Sequence, residues 1–364
     1  MARHFKVGVP DEVKRFFEAV EAGRQDEVDA LFKSMSERRK SPDAAPGLRV
    51  LWPAIMETYG VTEVAHDWPA QKLLDYGNAV LDSLRPDMVY VGGTDAGRFI
   101  PTLLNESGDG TPHIILTQNA LSDGTYLDYV RFLYGDRMAT LTPEESQRAI
   151  SDYVADATKR LQHDEQFPDE PKQLRPREEV HNSDGRIEVS GQVAVCYIRE
   201  WLLQTLMQKN PEAAFALEES FPFKSTYAGA TTLGPIMELG SQDAQAGLTP
   251  ERATQSLEYF QTTTQELLAD PETPEGSAPR NAYAKLLLAQ ANLFLDRNYA
   301  AQAEQALRLA TDLTPAGPEA VFSYTKLLIE QKRFADARQL VQTAVQLAPG
   351  NQNLQNLLQL LKKR

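Results

Sequence analysis

The feature that most constrains this chain lies at its carboxyl end. "AEQALRLATDLTPAG" and "ARQLVQTAVQLAPGN" superpose at a spacing of 34 residues. Ala303 falls on Ala337, Ala310 on Ala344, Leu313 on Leu347 and Pro315 on Pro349. Small alanines recur at helical spacing, where two helices can approach closely, and a proline closes each unit. A unit of this size cannot bury its apolar face alone, so the pattern demands stacked helix pairs. Ala303, Ala310, Ala337 and Ala344 are the residues expected at the helix crossings. The last stretch, "NLQNLLQLLKKR", is expected to cover the open end with a polar face.

The period, the alanines and the closing proline resemble the tetratricopeptide repeat family. Phe334, three residues before Ala337, also stands where that family's pattern has it. The first unit carries Ala300 there, with Tyr299 one place early. The resemblance implies an all-α module over 281–364 whose concave face engages a protein partner.

Upstream the periodicity changes. Val13, Phe16, Phe17 and Val20, then Val28, Leu31 and Phe32, predict two short helices joined at "EAGRQ". Each is too short to persist alone and must pack on something larger. Further on, apolar runs alternate with helical patterns: Met88 to Val91, "HIILT", "AFALEES" and "TLGPIMEL". Such alternation predicts an α/β domain with a mostly parallel, Rossmann-like three-layer sheet. "DPETPEGSAPR" reads as a linker, with three prolines and a glycine. The expected organisation is an amino-terminal helical hairpin and loop (1–47), the α/β domain (48–240), a connecting helix and linker (241–280), and the repeats (281–364).

One stretch points to chemistry. In "DMVYVGGTDAGRF" a strand pattern stops at Gly92 and Gly93, and a helix pattern follows from about Ala96. Ligands of parallel sheets sit beyond the carboxyl ends of the strands. Glycines there let a backbone approach a ligand, and free N–H groups at a helix start favour an anion. Thr94 or Asp95 is equally suited to cap the helix and satisfy those N–H groups itself. The stretch matches neither the dinucleotide fingerprint nor the lysine-bearing phosphate loop. If three loops converge on one edge, Gly92, Gly93, Thr94, Asp95 and Arg98 would be joined by Asn119, Asp123 and Glu219. Asp95, Asp123 and Glu219 would then offer hard oxygen ligands suited to Mg²⁺ or Ca²⁺, or to a hydroxyl-rich ligand. Acidic groups at helix starts also favour the helix dipole with no ligand at all. The five histidines are scattered, without the spacing of a zinc site.

Net charge is −14 over 364 residues, which disfavours nonspecific binding to nucleic acid or to an anionic membrane. From Asn281 onward ten Lys or Arg face six Asp or Glu, a net +4, so the rest carries −18. This asymmetry is compatible with electrostatic docking between the two parts. Cys196 has no internal partner for a disulfide and reads as a small buried hydrophobe. No run reaches the length of a membrane span, and the first residues lack the apolar centre of a signal peptide, so direct membrane insertion is not expected. The compartment and the oligomeric state stay open.

"YVGGTDAGRFIPT", "LTQNALSDGTYLDYVRFLYGD", "ALEESFPF" and "PEAVFSYTKLLIEQKRFADA" resemble, from about Leu48 onward, the soluble region of uncharacterised bacterial proteins, chiefly verrucomicrobial. In these, that region follows a glycosyltransferase-like membrane part. The resemblance implies no transferable reaction, and no counterpart of that membrane segment is expected within these residues. Two functions are therefore expected to compete. One is a non-catalytic binding or assembly protein. The other is an enzyme or nucleotide-sugar or glycan binder working at the acidic, Gly-rich edge at 92–98. Side chains of the protein itself plugging that edge would favour the first.

Overall fold

The computed structural model describes residues 1–108, 112–183, 186–218, 228–240 and 247–362. The chain divides into two compact units. The first holds residues 1–66 and 114–213. It opens with two helices, α1 (Asp11–Glu21) and α2 (Gln25–Arg39), followed by α3 (Pro46–Asp67). Val13, Phe16, Ala19, Val28 and Met35 meet Leu48, Leu51, Trp52 and Ile55 in one apolar core. Neither short helix could bury its stripe without α3. Strand β2 (Ile114–Thr117), α6 (Gly124–Tyr134), α7 (Pro143–Gln166), a hairpin of β3 (Glu179–Ser183) with β4 (Arg186–Ser190), and α8 (Gly191–Lys209) complete this unit. The proline-rich excursion before Glu179 thus ends in a strand. A buried knot ties it to α7: Arg160 bonds Glu178 at 2.5 Å, and Tyr153 donates to the same carboxylate.

The second unit holds 67–113, 214–218 and the chain from 228 onward. It contains α4 (Ala70–Leu81), β1 (Val89–Gly92), α5 (Asp95–Ser107), β5 (Phe215–Leu217), β6 (Thr231–Leu233) and β7 (Ile236–Leu239). β1 pairs with β5 in parallel, but β5 pairs with β7 and β7 with β6 antiparallel. This corrects the expected mostly parallel, three-layer arrangement: the sheet is small and mixed. The cause is local. "TLGPIMEL" is not one strand but a hairpin, folded at Gly234 and Pro235. Gly234 has φ +54°, and a Cβ there would fall 2.0 Å from the Ser83 hydroxyl.

Helix α9 (Pro250–Ala269) leads to five more: α10 (Ala278–Asp296), α11 (Ala300–Leu313), α12 (Pro318–Glu330), α13 (Phe334–Leu347) and α14 (Gln352–Lys362). Ala303, Ala310, Ala337 and Ala344 are each 0% exposed. The 34-residue period extends to the backbone. Asn298 and Lys332 sit in the left-handed region at φ 62° and 61°. Tyr299 N–H reaches Phe294 O, and Arg333 N–H reaches Leu328 O, both at 2.8 Å. The "DPETPEGSAPR" segment is a pinned turn rather than a free linker. Thr273 is wholly buried and donates to Leu267 O at 2.5 Å, and Asp270 pairs with Lys72 at 2.9 Å. Within this unit the sheet and the repeats share contacts. Gln290 of α10 donates to Ile236 O at 3.0 Å, and Tyr283 packs edge-on against Tyr76.

Candidate functional site

Strand β1 is buried along its length and ends at Gly92. Gly93 and Thr94 carry the chain to α5, and Thr94 is the cap: its hydroxyl accepts from Gly97 N–H at 2.9 Å. Asp95, the first helical residue, is exposed. Arg98 is half-buried, its guanidinium 4.9 Å from the Phe99 ring centroid.

The polar groups of this loop converge on one carboxylate, that of Glu218, which is 1% exposed. Gly93 N–H and Thr94 N–H donate to its Oε2 at 2.8 and 2.9 Å. The Thr94 hydroxyl and the Tyr76 hydroxyl donate to its Oε1 at 2.5 and 3.0 Å. Beside it, Tyr90 OH donates to Gly97 O at 2.6 Å. Burial first, and the Glu218 charge second, push the phenols of Tyr76 and Tyr90 well above their usual range, so both stay protonated. A buried carboxylate is tolerable only when its oxygens are bonded, and here each takes two donors. Gly97 makes room for it: a Cβ at that position would lie 1.8 Å from the carboxylate carbon.

The feature that places Glu218 is strand register. Val91 lies opposite Leu217, and Glu218 N–H donates to Val91 O at 3.1 Å. The residue after the last pair is therefore carried to the glycine turn. Sequence reasoning named Glu219 for this edge, because it cannot fix the register of a three-residue strand. Tyr76, on a helix far away in sequence, gave no signal.

The remaining predicted residues have local roles or lie elsewhere. Asn119, exposed in the first unit, donates its N–H to the Thr117 hydroxyl at 3.3 Å. Asp123 caps α6, accepting from Thr125 N–H at 2.9 Å and Tyr126 N–H at 3.4 Å. Glu219 lies outside the described residues. Among the described residues no group of three or more His, Cys, Asp or Glu is placed to hold a metal ion. No described helix is long and apolar enough to cross a membrane. Cys196 is buried.

The repeats carry a second candidate surface. A cleft of about 340 Å³ is lined by Asn281, Ala284, Lys285 and Leu288 of α10 and by Pro318 and Glu319 of α12, among others. Its lining combines a lysine and a glutamate with apolar side chains. In the same array, Glu304 of α11 accepts from Arg333 at 2.7 Å and from Tyr324 OH at 3.1 Å, joining one repeat to the next. No curated protein matches the chain. Residues 294–361 match the tetratricopeptide repeat family, so the carboxyl-terminal module is a repeat array of that kind.

Proposed function

We propose that the chain is a non-catalytic binding or assembly protein whose repeats engage a protein partner. The observation that carries this reading is the family match over α11 to α14, because arrays of this kind present extended concave surfaces to partners. The cleft lined by Lys285, Leu288 and Glu319 is the proposed point of contact. The glycine-rich loop adds support from the other side. The Gly93 and Thr94 N–H groups and the Thr94 hydroxyl, which an external anion or sugar would need, are engaged by Glu218.

The competing reading, an enzyme or nucleotide-sugar or glycan binder at residues 92–98, is distinguished by thermal stability. Wild type is measured with and without Mg²⁺, Ca²⁺ and a panel of nucleotide sugars. No ligand-dependent shift is expected. A saturable shift that Asp95→Ala abolishes would replace the proposal with the competing one.

A further inference from the structure

We propose that the β1–α5 loop is an anion-binding site whose resident ligand is the chain's own Glu218 carboxylate, and that it takes a small external carboxylate once that side chain is removed. The geometry of both partners supports this. The donors come from two separate stretches of chain, Gly93 and Thr94 in the loop and Tyr76 on α4, and Gly97 leaves the space. They meet two oxygens at 2.5–3.0 Å, so the arrangement is matched to a planar, two-oxygen group. The four donors are neutral, and the start of α5 adds the positive end of its dipole.

The steric side is independent of the hydrogen bonds. The Gly97 Cβ position would lie 1.8 Å from the carboxylate carbon and 1.9 and 2.0 Å from its oxygens. That volume belongs to the carboxylate, and the loop has no side chain of its own to fill it. Glu218→Ala keeps Cβ and deletes the methylene and the carboxylate. Acetate is that missing fragment, a methyl group on the same two oxygens. Filled from within, the site ties the end of β5 to α4 and to the start of α5 at one point.

The test is thermal unfolding of wild type, Glu218→Ala and Glu218→Gln in sodium acetate, against sodium chloride at matched ionic strength. Glu218→Ala is expected to unfold several degrees below wild type, and acetate to return part of that loss with a saturable dose dependence. Wild type and Glu218→Gln, whose side chains still fill the space, should respond to the two salts alike. Gly97→Ala added to Glu218→Ala should remove the acetate response, because the new methyl group enters the vacated volume. Acetate moving Glu218→Ala no more than chloride does, or moving the double variant equally, would overturn the proposal. If Glu218→Ala does not accumulate as folded protein, its refolded fraction from urea is compared in the two salts. A higher yield in acetate supports the site, and equal yields overturn it.

Discussion

Thr94 makes two side-chain hydrogen bonds that the acidic residue beside it does not share. Its hydroxyl accepts from Gly97 N–H and donates to Glu218, whereas Asp95 stands exposed on the first turn. Thr94→Ala should therefore lose a helix cap and leave a buried carboxylate oxygen short of a donor, about 2–3 kcal/mol together. Asp95→Ala should lose only its favourable place at the helix start, about 0.3–1 kcal/mol. Urea denaturation of the two variants checks the ranking, and equal losses would mean that Asp95 shares the cap. The sequence showed that a cap was needed and offered both residues for it. It could not choose between them, because the choice depends on where Glu218 sits. That position is set by a pairing between residues more than a hundred positions apart.

At the level of elements, legibility followed the range of the forces. The repeats were readable because a local pattern recurs at a fixed period and carries its own packing rule. The small sheet was misread at "TLGPIMEL", where Gly234 and Pro235 make a two-residue turn inside what looks like one apolar run. "DPETPEGSAPR" was misread as a linker because proline and glycine mark a turn in the chain and do not report whether the turn is held. Within the array, Lys332 adopts φ 61° at the end of α12, where glycine is favoured because it carries no Cβ. Lys332→Gly should stabilise the protein by about 0.5–1 kcal/mol in urea denaturation. A loss instead would show that the lysine stem packs in a way that outweighs the strain. Asn298 occupies the same place one repeat earlier, and asparagine tolerates this conformation better, so Asn298→Gly should gain less.

For the molecule as a whole, acid is the informative stress. Burial raises the Glu178 carboxyl, but hydrogen bonds from Tyr153, Arg175 N–H and Arg160 outweigh it and hold the group below its ordinary value. Burial likewise raises Glu304, and Arg333 and Tyr324 outweigh it. A carboxylate whose folded pKa is depressed adds stability that is present above the unfolded value. That stability is lost as pH falls through the folded one. The urea midpoint should therefore fall as pH drops below about 4.3. Glu304→Gln should lower the midpoint near neutral pH and flatten that acid dependence, and an unchanged acid slope would remove Glu304 from the account. The pinned turn at 270–280 makes a second prediction for the whole chain. Its ties from Thr273 and Asp270 should keep limited proteolysis from cutting there first. Early cleavage within that segment would show the ties to be weak.

The central claim, that the repeats bind a protein partner through the α10–α12 cleft, is tested most directly by comparative affinity capture. Wild type and a Lys285→Glu/Leu288→Ser variant, shown to unfold at similar temperatures, are used as bait on the same lysate. The account predicts that a protein retained by wild type is lost with the variant and binds purified wild type directly. The same proteins retained equally by both baits would contradict it.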